Sequence, residues 1–295
     1  MLIVDLRSVD PEQPDAAGEY ALQLIGALVR IAVHSDLTVL EPGFDGPLPP
    51  GEVLLLPAGG RPVPGRRCFT AMHELAPLRT GLRGFRRRFG AAFAASRSER
   101  VLAPSDAVAE ALVRHLLVPA GRVVTIRPGL EPGWARTTRA VAAAARADFG
   151  LPERYLLAFG DAALAEQAWA AASTPTEGAG LVLAERLRPP RRVLPALLSG
   201  AVGVLLCERL NGNPIRALQA MACGTPPVVP DDGAFPEAVR DGGLTVSAGS
   251  IQDWAGAISA LYRSRQLRMQ LSARSRELAA EQTAERAARQ VLALL

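Results

Sequence analysis

The sequence contains no lysine, so all 33 of its Lys and Arg residues are arginine. That absence excludes a Walker-type phosphate loop, a Schiff-base lysine and a lysine general base. Cysteine and histidine are also scarce, with three of each in 295 residues and no metal-ligand spacing among them. These counts exclude a disulfide framework and indicate small buried thiols in a reducing compartment.

Long apolar runs are absent as well. The longest uncharged stretch, residues 193–207, falls short of the ~18 residues that a membrane span needs and contains Pro195. A secretory leader is not predicted, because Asp5 and Arg7 interrupt the first apolar run. The sequence therefore predicts a cytoplasmic protein, with peripheral attachment to the inner face of the membrane as an open alternative.

The positive charge of the chain is concentrated in one segment. The net charge is +4, but residues 61–88 hold eight arginines and a single acid, so the rest of the chain is net negative. Neither a recognisable nucleic-acid-binding module nor a wider basic surface accompanies this segment. We therefore predict no nucleic-acid partner.

Short apolar runs alternate with segments of helical periodicity, which is typical of α/β proteins with doubly wound parallel sheets. In the first half of the chain the predicted strands are residues 2–4, 37–40, 53–56, 67–72, 101–103 and 123–126, and the first predicted helix runs from Tyr20 to Ile31. The alternation pauses after residue 128 and resumes near residue 155. This pattern predicts an N-terminal Rossmann-like domain over residues 1–138 and a second one over 139–280. Residues 281–295 are predicted to form a helix that packs back on the first domain.

One continuous segment carries the strongest motif. Residues 211–226 read Asn-Gly-Asn-Pro-Ile-Arg-Ala-Leu-Gln-Ala-Met-Ala-Cys-Gly-Thr-Pro. The segment resembles the sugar-nucleotide motif of glycosyltransferase family 4, in which Glu-Gly-Asn-Pro precedes Leu-Glu-Ala-Met-Ala-Cys-Gly-Thr-Pro. The resemblance implies the GT-B fold, two Rossmann-like doubly wound domains that face each other across a cleft.

Weaker matches follow in the family's order along the chain. His73-Glu74-Leu75 resembles the family's His-Asp-Leu, and residues 103–108 resemble its Ala-Pro-Ser strand end. Residues 126–131 resemble its interdomain linker, and residues 231–237 follow the main motif at the family's spacing. The match therefore runs over most of the chain, although these shorter motifs are weak alone.

The resemblance implies a retaining transfer of sugar from a nucleotide-diphosphate sugar, without metal or other cofactor. The backbone N–H groups at the start of the helix near Asn213 suit a diphosphate. In this interpretation His73 and Asn211 are catalytic. The implied donor-binding residues are Gly160, Gly212, Asn213, Pro214, Ile215, Gln219 and Thr225.

The charged residues of the family motif are missing here. Asn211 and Gln219 stand where the family has glutamates, so the two positions carry no charge. After the first strand of the second domain the family places a base on the diphosphate, whereas Glu166 occupies that position here. These departures keep open a catalytically inactive homologue that acts as a binding or scaffolding partner of an active transferase. A sugar-nucleotide epimerase is a weaker third reading.

The basic segment also has open interpretations. Its candidate contacts to an anionic membrane surface or a phosphorylated acceptor are Arg83, Arg86, Arg87 and Arg88. A solvated helix face is the simpler alternative. A homodimer is a further open possibility, suggested by apolar stripes in the C-terminal helices. The donor nucleotide, the sugar and the acceptor are not predicted by the sequence.

Overall fold

The computed structural model describes residues 1–32, 37–73, 82–173, 178–208 and 212–295, and of residues 82–88 it describes only the backbone. The chain divides into two compact units. The first comprises Met1–Glu131, Leu210–Ile215 and Thr283–Leu295, and the second comprises Pro132–Arg209 and Arg216–Gln282. Each unit therefore includes segments that are distant in sequence.

The described part of the first unit holds a six-stranded parallel sheet with strand order β2-β1-β3-β4-β5-β6. The strands are β1 Leu2–Asp5, β2 Leu37–Leu40, β3 Val53–Leu56, β4 Arg67–Ala71, β5 Arg100–Ala103 and β6 Val123–Thr125. The helices are α1 Ala16–Ile31, α2 Leu82–Arg97, α3 Asp106–Leu116 and α12 Ala284–Leu292. All six strands predicted from the apolar runs are confirmed.

The second unit has, over its described ranges, a five-stranded parallel sheet with order β11-β10-β9-β7-β8. Its strands are β7 Arg154–Gly160, β8 Ala179–Leu183, β9 Gly203–Cys207, β10 Pro227–Pro230 and β11 Leu244–Val246. Its helices are α4 Arg139–Asp148, α5 Ala162–Ala171, α6 Ala184–Leu187, α7 Leu194–Gly200, α8 Ile215–Ala222, α9 Phe235–Val239, α10 Ile251–Arg263 and α11 Arg265–Ala280. Helix α8 begins on the last residue of the first unit's segment and continues in the second unit.

Each sheet has its own buried core, because parallel strands covered by helices on both faces bury nearly every side chain. In the first unit, Tyr20 and Leu28 of α1 pack with Phe69 of the sheet and with Val291 of α12. The C-terminal helix thus belongs to the first unit's core. In the second unit, Trp254 of α10 is fully buried against the sheet.

One helix boundary differs from the sequence-based prediction. Helix α1 begins at Ala16 rather than at Tyr20, because the Asp15 side chain accepts a hydrogen bond from the Gly18 backbone N–H and caps the helix earlier. The Arg- and Pro-rich connection between β8 and β9 also contains the single-turn helix α6, which the sequence analysis does not predict. The three cysteines are buried and unpaired, as predicted.

Candidate active site

In the first unit, His73 follows strand β4 and belongs to a buried hydrogen-bond network. Its Nε2 lies 2.7 Å from the Pro57 carbonyl oxygen, which can only accept, so Nε2 carries the proton. Its Nδ1 then accepts from the Asn213 amide nitrogen at 3.1 Å. The Tyr20 ring packs edge-on against the imidazole. Both ring nitrogens of His73 are therefore engaged inside the protein.

The imidazole of His73 is held in its neutral form. Burial lowers the pKa of His73 to about 4, because desolvation opposes the charged form more strongly than the Pro57 carbonyl and Asp15 favour it. A neutral imidazole without a free nitrogen positions Asn213 and is poorly suited to donate a proton. The predicted role of His73 in the transfer itself stays a prediction.

The amide of Asn213 is fully used. Its nitrogen also donates to the Ala16 carbonyl oxygen at 2.9 Å, and its Oδ1 accepts from the Ile215 backbone N–H at 3.2 Å. The Ile215 N–H, one of the predicted phosphate donors, thus already has a partner. Asn213, Pro214 and Ile215 are all buried.

The backbone of Gly212 packs directly against neighbouring groups of the first unit. Its carbonyl oxygen accepts from the Ser105 hydroxyl at 2.8 Å, at the start of α3. A Cβ at this position would lie 2.1 Å from Val108 Cγ2 and 2.4 Å from the His73 carbonyl oxygen. Glycine is required here by the close approach of the backbone, so the Gly-Asn-Pro turn is explained by packing in the first unit.

A cavity of about 850 Å³ opens beside this network, also within the first unit. It is bordered by His73 and Asn213, by the start of α1 and by the segment after β3. These elements are the carboxyl ends of parallel strands and the segments that follow them, where ligands bind in open α/β sheets.

In the second unit, the predicted donor residue Gly160 ends strand β7 with a φ of +92°. A Cβ there would lie 2.6 Å from Glu208 Cγ and 2.7 Å from the Cys207 carbonyl oxygen, so only glycine fits. The Gly160 backbone N–H donates to a Glu185 carboxylate oxygen at 2.7 Å. This N–H is therefore occupied by an anionic group of the protein.

Acidic side chains surround the same strand ends. Asp161 caps helix α5 through the Ala163 and Leu164 N–H groups. Burial, and then the carboxylates of Asp161, Glu208 and Glu185, raise the pKa of Cys207 to about 12. The negative potential at this edge disfavours a diphosphate unless a cation offsets it.

Glu166, which occupies the position of the family's base, forms an ion pair with Arg186 at 2.8 Å. Both side chains are largely exposed, so the pair contributes little to stability. The pairing does partly neutralise the carboxylate that the sequence analysis identified as unfavourable.

Arg216 is the cation that sequence reasoning missed. It lies at the start of α8, where its guanidinium stands 5.5 Å from the centre of the Phe159 ring, at the end of β7. Its Nη1 donates to Gln219 Oε1 at 3.0 Å. Its place inside the main motif was the available signal, since a helix start beside the first strand's end faces the diphosphate region.

Gln219 and Thr225 are buried in the second unit. Gln219 is 0% exposed, and its amide nitrogen has no hydrogen-bond partner among the described residues. Its observed contact is with Arg216, which makes it a support for that guanidinium. The Thr225 hydroxyl donates to the Leu198 carbonyl oxygen. The donor roles predicted for both side chains stay predictions.

Several predicted residues lie outside the description. Asn211 is not among the described residues, and neither are the side chains of Arg83, Arg86, Arg87 and Arg88 on helix α2. Within the described ranges, no group of three or more His, Cys, Asp or Glu side chains could hold a metal ion. No helix in the described part of the chain combines the length and apolarity that crossing a membrane requires.

Comparison with known proteins gives a family match that includes the main motif at residues 211–226. Residues 188–278 match the family of glycosyl transferases group 1. The chain is 28% identical over 204 residues to D-inositol 3-phosphate glycosyltransferase of Actinosynnema mirum, an alignment that covers 55% of this chain. It covers 48% of that enzyme, so the chain spans about half the length of this curated relative.

Solved structures share the fold over nearly the whole chain. Anabaena Alr3699/HepE in complex with UDP-glucose has a TM-score of 0.74 at 16% identity and covers 100% of both chains. The lipopolysaccharide-biosynthesis glycosyltransferase WaaG has a TM-score of 0.76 at 14% identity, covering 99% and 98%. Sucrose-phosphate synthase of Thermosynechococcus elongatus has a TM-score of 0.75 at 16% identity, covering 99% and 97%. The two Rossmann-like units match GT-B glycosyltransferases, as predicted.

Proposed function

We propose, on the premise that this chain belongs to the glycosyl transferases group 1 family, that it transfers a sugar from a nucleotide-diphosphate sugar to an acceptor hydroxyl. The bond between the sugar's anomeric carbon and the diphosphate breaks, and the electron pair leaves with the nucleoside diphosphate. The acceptor oxygen forms the new bond on the same face, with retention. Its proton passes to the departing phosphate oxygen.

The observation that carries this proposal is the position of Arg216 in the second unit. A guanidinium is a strong partner for phosphate oxygens, because its planar fork makes charge-assisted hydrogen bonds. Phe159 and Gln219 orient the Arg216 side chain at the end of β7. In this proposal Arg216 takes the role of the base that the family places after this strand.

The donor class is supported by similar proteins whose structures contain UDP or UDP-glucose. The acceptor is less defined. The curated relative is named for an inositol phosphate acceptor, which supports a phosphorylated acceptor for this chain too. Contact of the segment 61–88 with an anionic membrane surface remains part of this proposal, and sedimentation with anionic and neutral vesicles tests it.

Calorimetric titration of UDP-, GDP- and ADP-glucose tests the donor site. We expect one of them to bind wild-type protein and Arg216→Gln to weaken that binding about tenfold, since the removed charge faces the diphosphate. Arg216→Lys should recover part of the loss, because it keeps the charge without the fork. Slow release of nucleoside diphosphate from the donor alone reports chemistry without an acceptor.

Arg265→Gln provides the matched control, because it removes an arginine from the start of α11 in the same unit. It should bind the donor as wild type does, and both variants should keep the wild-type thermal midpoint. Absence of binding by all three nucleotide sugars at millimolar concentration would contradict the proposed function. So would equal affinities for wild type and Arg216→Gln.

A non-catalytic homologue is the second candidate, and one observation favours it. The Gly160 N–H is occupied by the Glu185 carboxylate, as if the protein's own anion took a phosphate's place. In that case the folded protein would neither bind nor hydrolyse a nucleotide sugar, and it would serve as a partner of an active transferase or as a homodimer. The same titrations therefore decide between the two candidates.

A further inference from the structure

Another cavity, of about 570 Å³, opens at the opposite edge of the first unit's sheet. Arg67 and Arg100 are the first residues of β4 and β5, and Arg122 directly precedes β6. These three strands are parallel neighbours, so their amino ends lie side by side and bring the three arginines to one edge. His73 follows the carboxyl end of β4, so the length of a strand separates this cavity from the His73 network.

The border of this cavity is strongly basic. The segments that supply it, residues 61–73 and 89–125, are described with their side chains. Hydrogen bonds from Arg67 hold the pKa of Glu99 below its usual range, so this carboxylate is ionised. Five guanidiniums and this one carboxylate, among the described residues of the border, leave a net charge of +4. The five arginines are Arg66, Arg67, Arg97, Arg100 and Arg122.

Two of these arginines are committed to the protein. Arg67 donates twice to the Glu99 carboxylate, at 2.7 and 2.9 Å. Arg122 donates to the carbonyl oxygen of Ala95, at 2.7 Å, and to that of Ser98. The last carbonyl groups of a helix lack partners within the helix, so Arg122 completes the end of α2. Packing of the first unit therefore explains these two side chains.

The other three guanidiniums keep donors that the fold does not use. Nη1 of Arg66 and Nε of Arg100 are buried and have no hydrogen-bond partner among the described residues. Arg66 makes a single long hydrogen bond through Nη2, to the Leu48 carbonyl oxygen at 3.4 Å. The exposed Arg97 stacks on the Phe93 ring, 5.2 Å from its centre. Because a buried donor without a partner costs free energy, these atoms indicate an acceptor that the protein itself does not supply.

A phosphate with several negative charges fits these features. Guanidiniums make charge-assisted, two-pronged hydrogen bonds with phosphate oxygens. The guanidiniums around the cavity repel one another, and an anion with one charge offsets only a small part of that repulsion. We propose that the cavity binds a small, multivalent phosphate anion through Arg66, Arg97 and Arg100. This site is independent of the sugar transfer and of Arg216.

The probe is inorganic tripolyphosphate, titrated calorimetrically into the whole chain at low ionic strength, where exposed charges are least screened. Sulfate and inorganic phosphate at the same ionic strength should bind at least tenfold more weakly, because each carries fewer charges. Tripolyphosphate should also raise the thermal midpoint, since a ligand of the folded state stabilises it. Equal affinities for sulfate and tripolyphosphate, or no binding at millimolar concentration, would overturn the proposal.

Two variants connect the binding to this cavity. Arg66→Gln should weaken tripolyphosphate binding about tenfold, and Arg97→Gln about threefold because solvent screens its exposed charge. Arg114→Gln on α3 makes the same change in net charge at an exposed position away from the cavity, and should bind as wild type does. An equal loss in Arg114→Gln would mean that the anion responds only to the net charge of the protein. If Arg66→Gln lowers the thermal midpoint, the exposed Arg97→Gln decides the assignment.

Glu99→Gln tests the site with the opposite sign. It removes the carboxylate and frees Arg67, so tripolyphosphate should bind about threefold more tightly. Glu110→Gln removes an exposed acid from α3 and should leave the affinity unchanged. Weaker binding by Glu99→Gln would exclude the assignment.

The proposed donor site is distinguished by Arg216→Gln. This variant should keep tripolyphosphate binding, because Arg216 lies in the second unit. Loss of all tripolyphosphate binding in Arg216→Gln would place the anion at the proposed donor site and would overturn the present assignment.

Discussion

The carboxyl ends of the parallel strands carry opposite kinds of side chain in the two units. In the first unit they border a cavity whose described side chains are mainly apolar, and the buried His73 beside it is neutral. In the second unit they carry the carboxylates of Asp161 and Glu185, and the Arg216 guanidinium packs on the Phe159 ring at the end of β7. One backbone architecture thus presents an apolar wall in one unit and a charged edge in the other. Ligand chemistry is decided by these side chains, since the fold supplies only the place.

The largest predicted effect tests the close packing of the first unit. Gly212→Ala places a Cβ within 2.4 Å of the His73 carbonyl oxygen and closer still to Val108. We expect a loss of about 3 kcal/mol in the free energy of unfolding, because the backbone carbonyl cannot yield without disturbing the His73 network. Urea denaturation measures it.

Gly121→Ala is the control for that substitution, because no heavy atom lies within 4 Å of its added Cβ. Its free energy of unfolding should stay within about 0.5 kcal/mol of wild type. Similar losses in both variants would mean that the contact at Gly212 is not the cause.

A smaller effect concerns the neutral state of His73. Its pKa in the folded protein is about 4, below the value of 6.5 for a free imidazole, so the unfolded chain binds the proton first. The stabilisation is therefore complete above pH 6.5 and declines as the pH falls towards 4. We expect a loss of about 2 kcal/mol at pH 5 from this group.

His73→Gln should lack this part of the pH dependence, since glutamine does not titrate. His115→Gln, an exposed position on α3, should retain it. Urea denaturation of the three proteins at pH 7 and pH 5 provides the comparison. If the free energy of unfolding changes equally between pH 7 and pH 5 in wild type and His73→Gln, His73 is not held neutral by burial.

The smallest predicted effect concerns the carboxylates at the strand ends of the second unit. Glu185→Gln removes the carboxylate that accepts from the Gly160 N–H, so a nucleotide diphosphate meets less repulsion. We expect about threefold tighter binding of the donor, because Glu185 is exposed and solvent screens its charge. Asp148→Asn, at the exposed end of α4, should change nothing. Weaker binding by Glu185→Gln would show that the carboxylate supports the site.

Much of the architecture was predictable because it depends on local periodicity. The strands β1 to β6 are short apolar runs bounded by Pro, Gly or polar residues, and that pattern is readable without tertiary information. The start of α1 was misjudged, because the cap at Asp15 precedes the apolar positions that signalled the helix. The single-turn helix α6 carries too few residues to show a period.

The motif predicted several residues of the site but not the contacts that they make. Asn213 was identified as a donor residue, but its amide is committed to the neighbouring Ile215 and to His73 and Ala16, which are more than a hundred positions away in sequence. Arg216 was overlooked because its value depends on Phe159, 57 positions earlier, coming to lie beside it. Such pairings are set by the order of strands in the sheet, which no local window contains.

By itself the sequence determined the two α/β units, the absence of lysine chemistry and the family motif at residues 211–226, because composition, periodicity and short motifs are local properties. Only the tertiary structure decided that His73 is neutral, that Glu185 occupies the Gly160 N–H and that the arginines at the starts of three neighbouring strands border one cavity. The physical reason is that burial, charge pairing and cavity shape arise from groups that the fold brings together from distant positions.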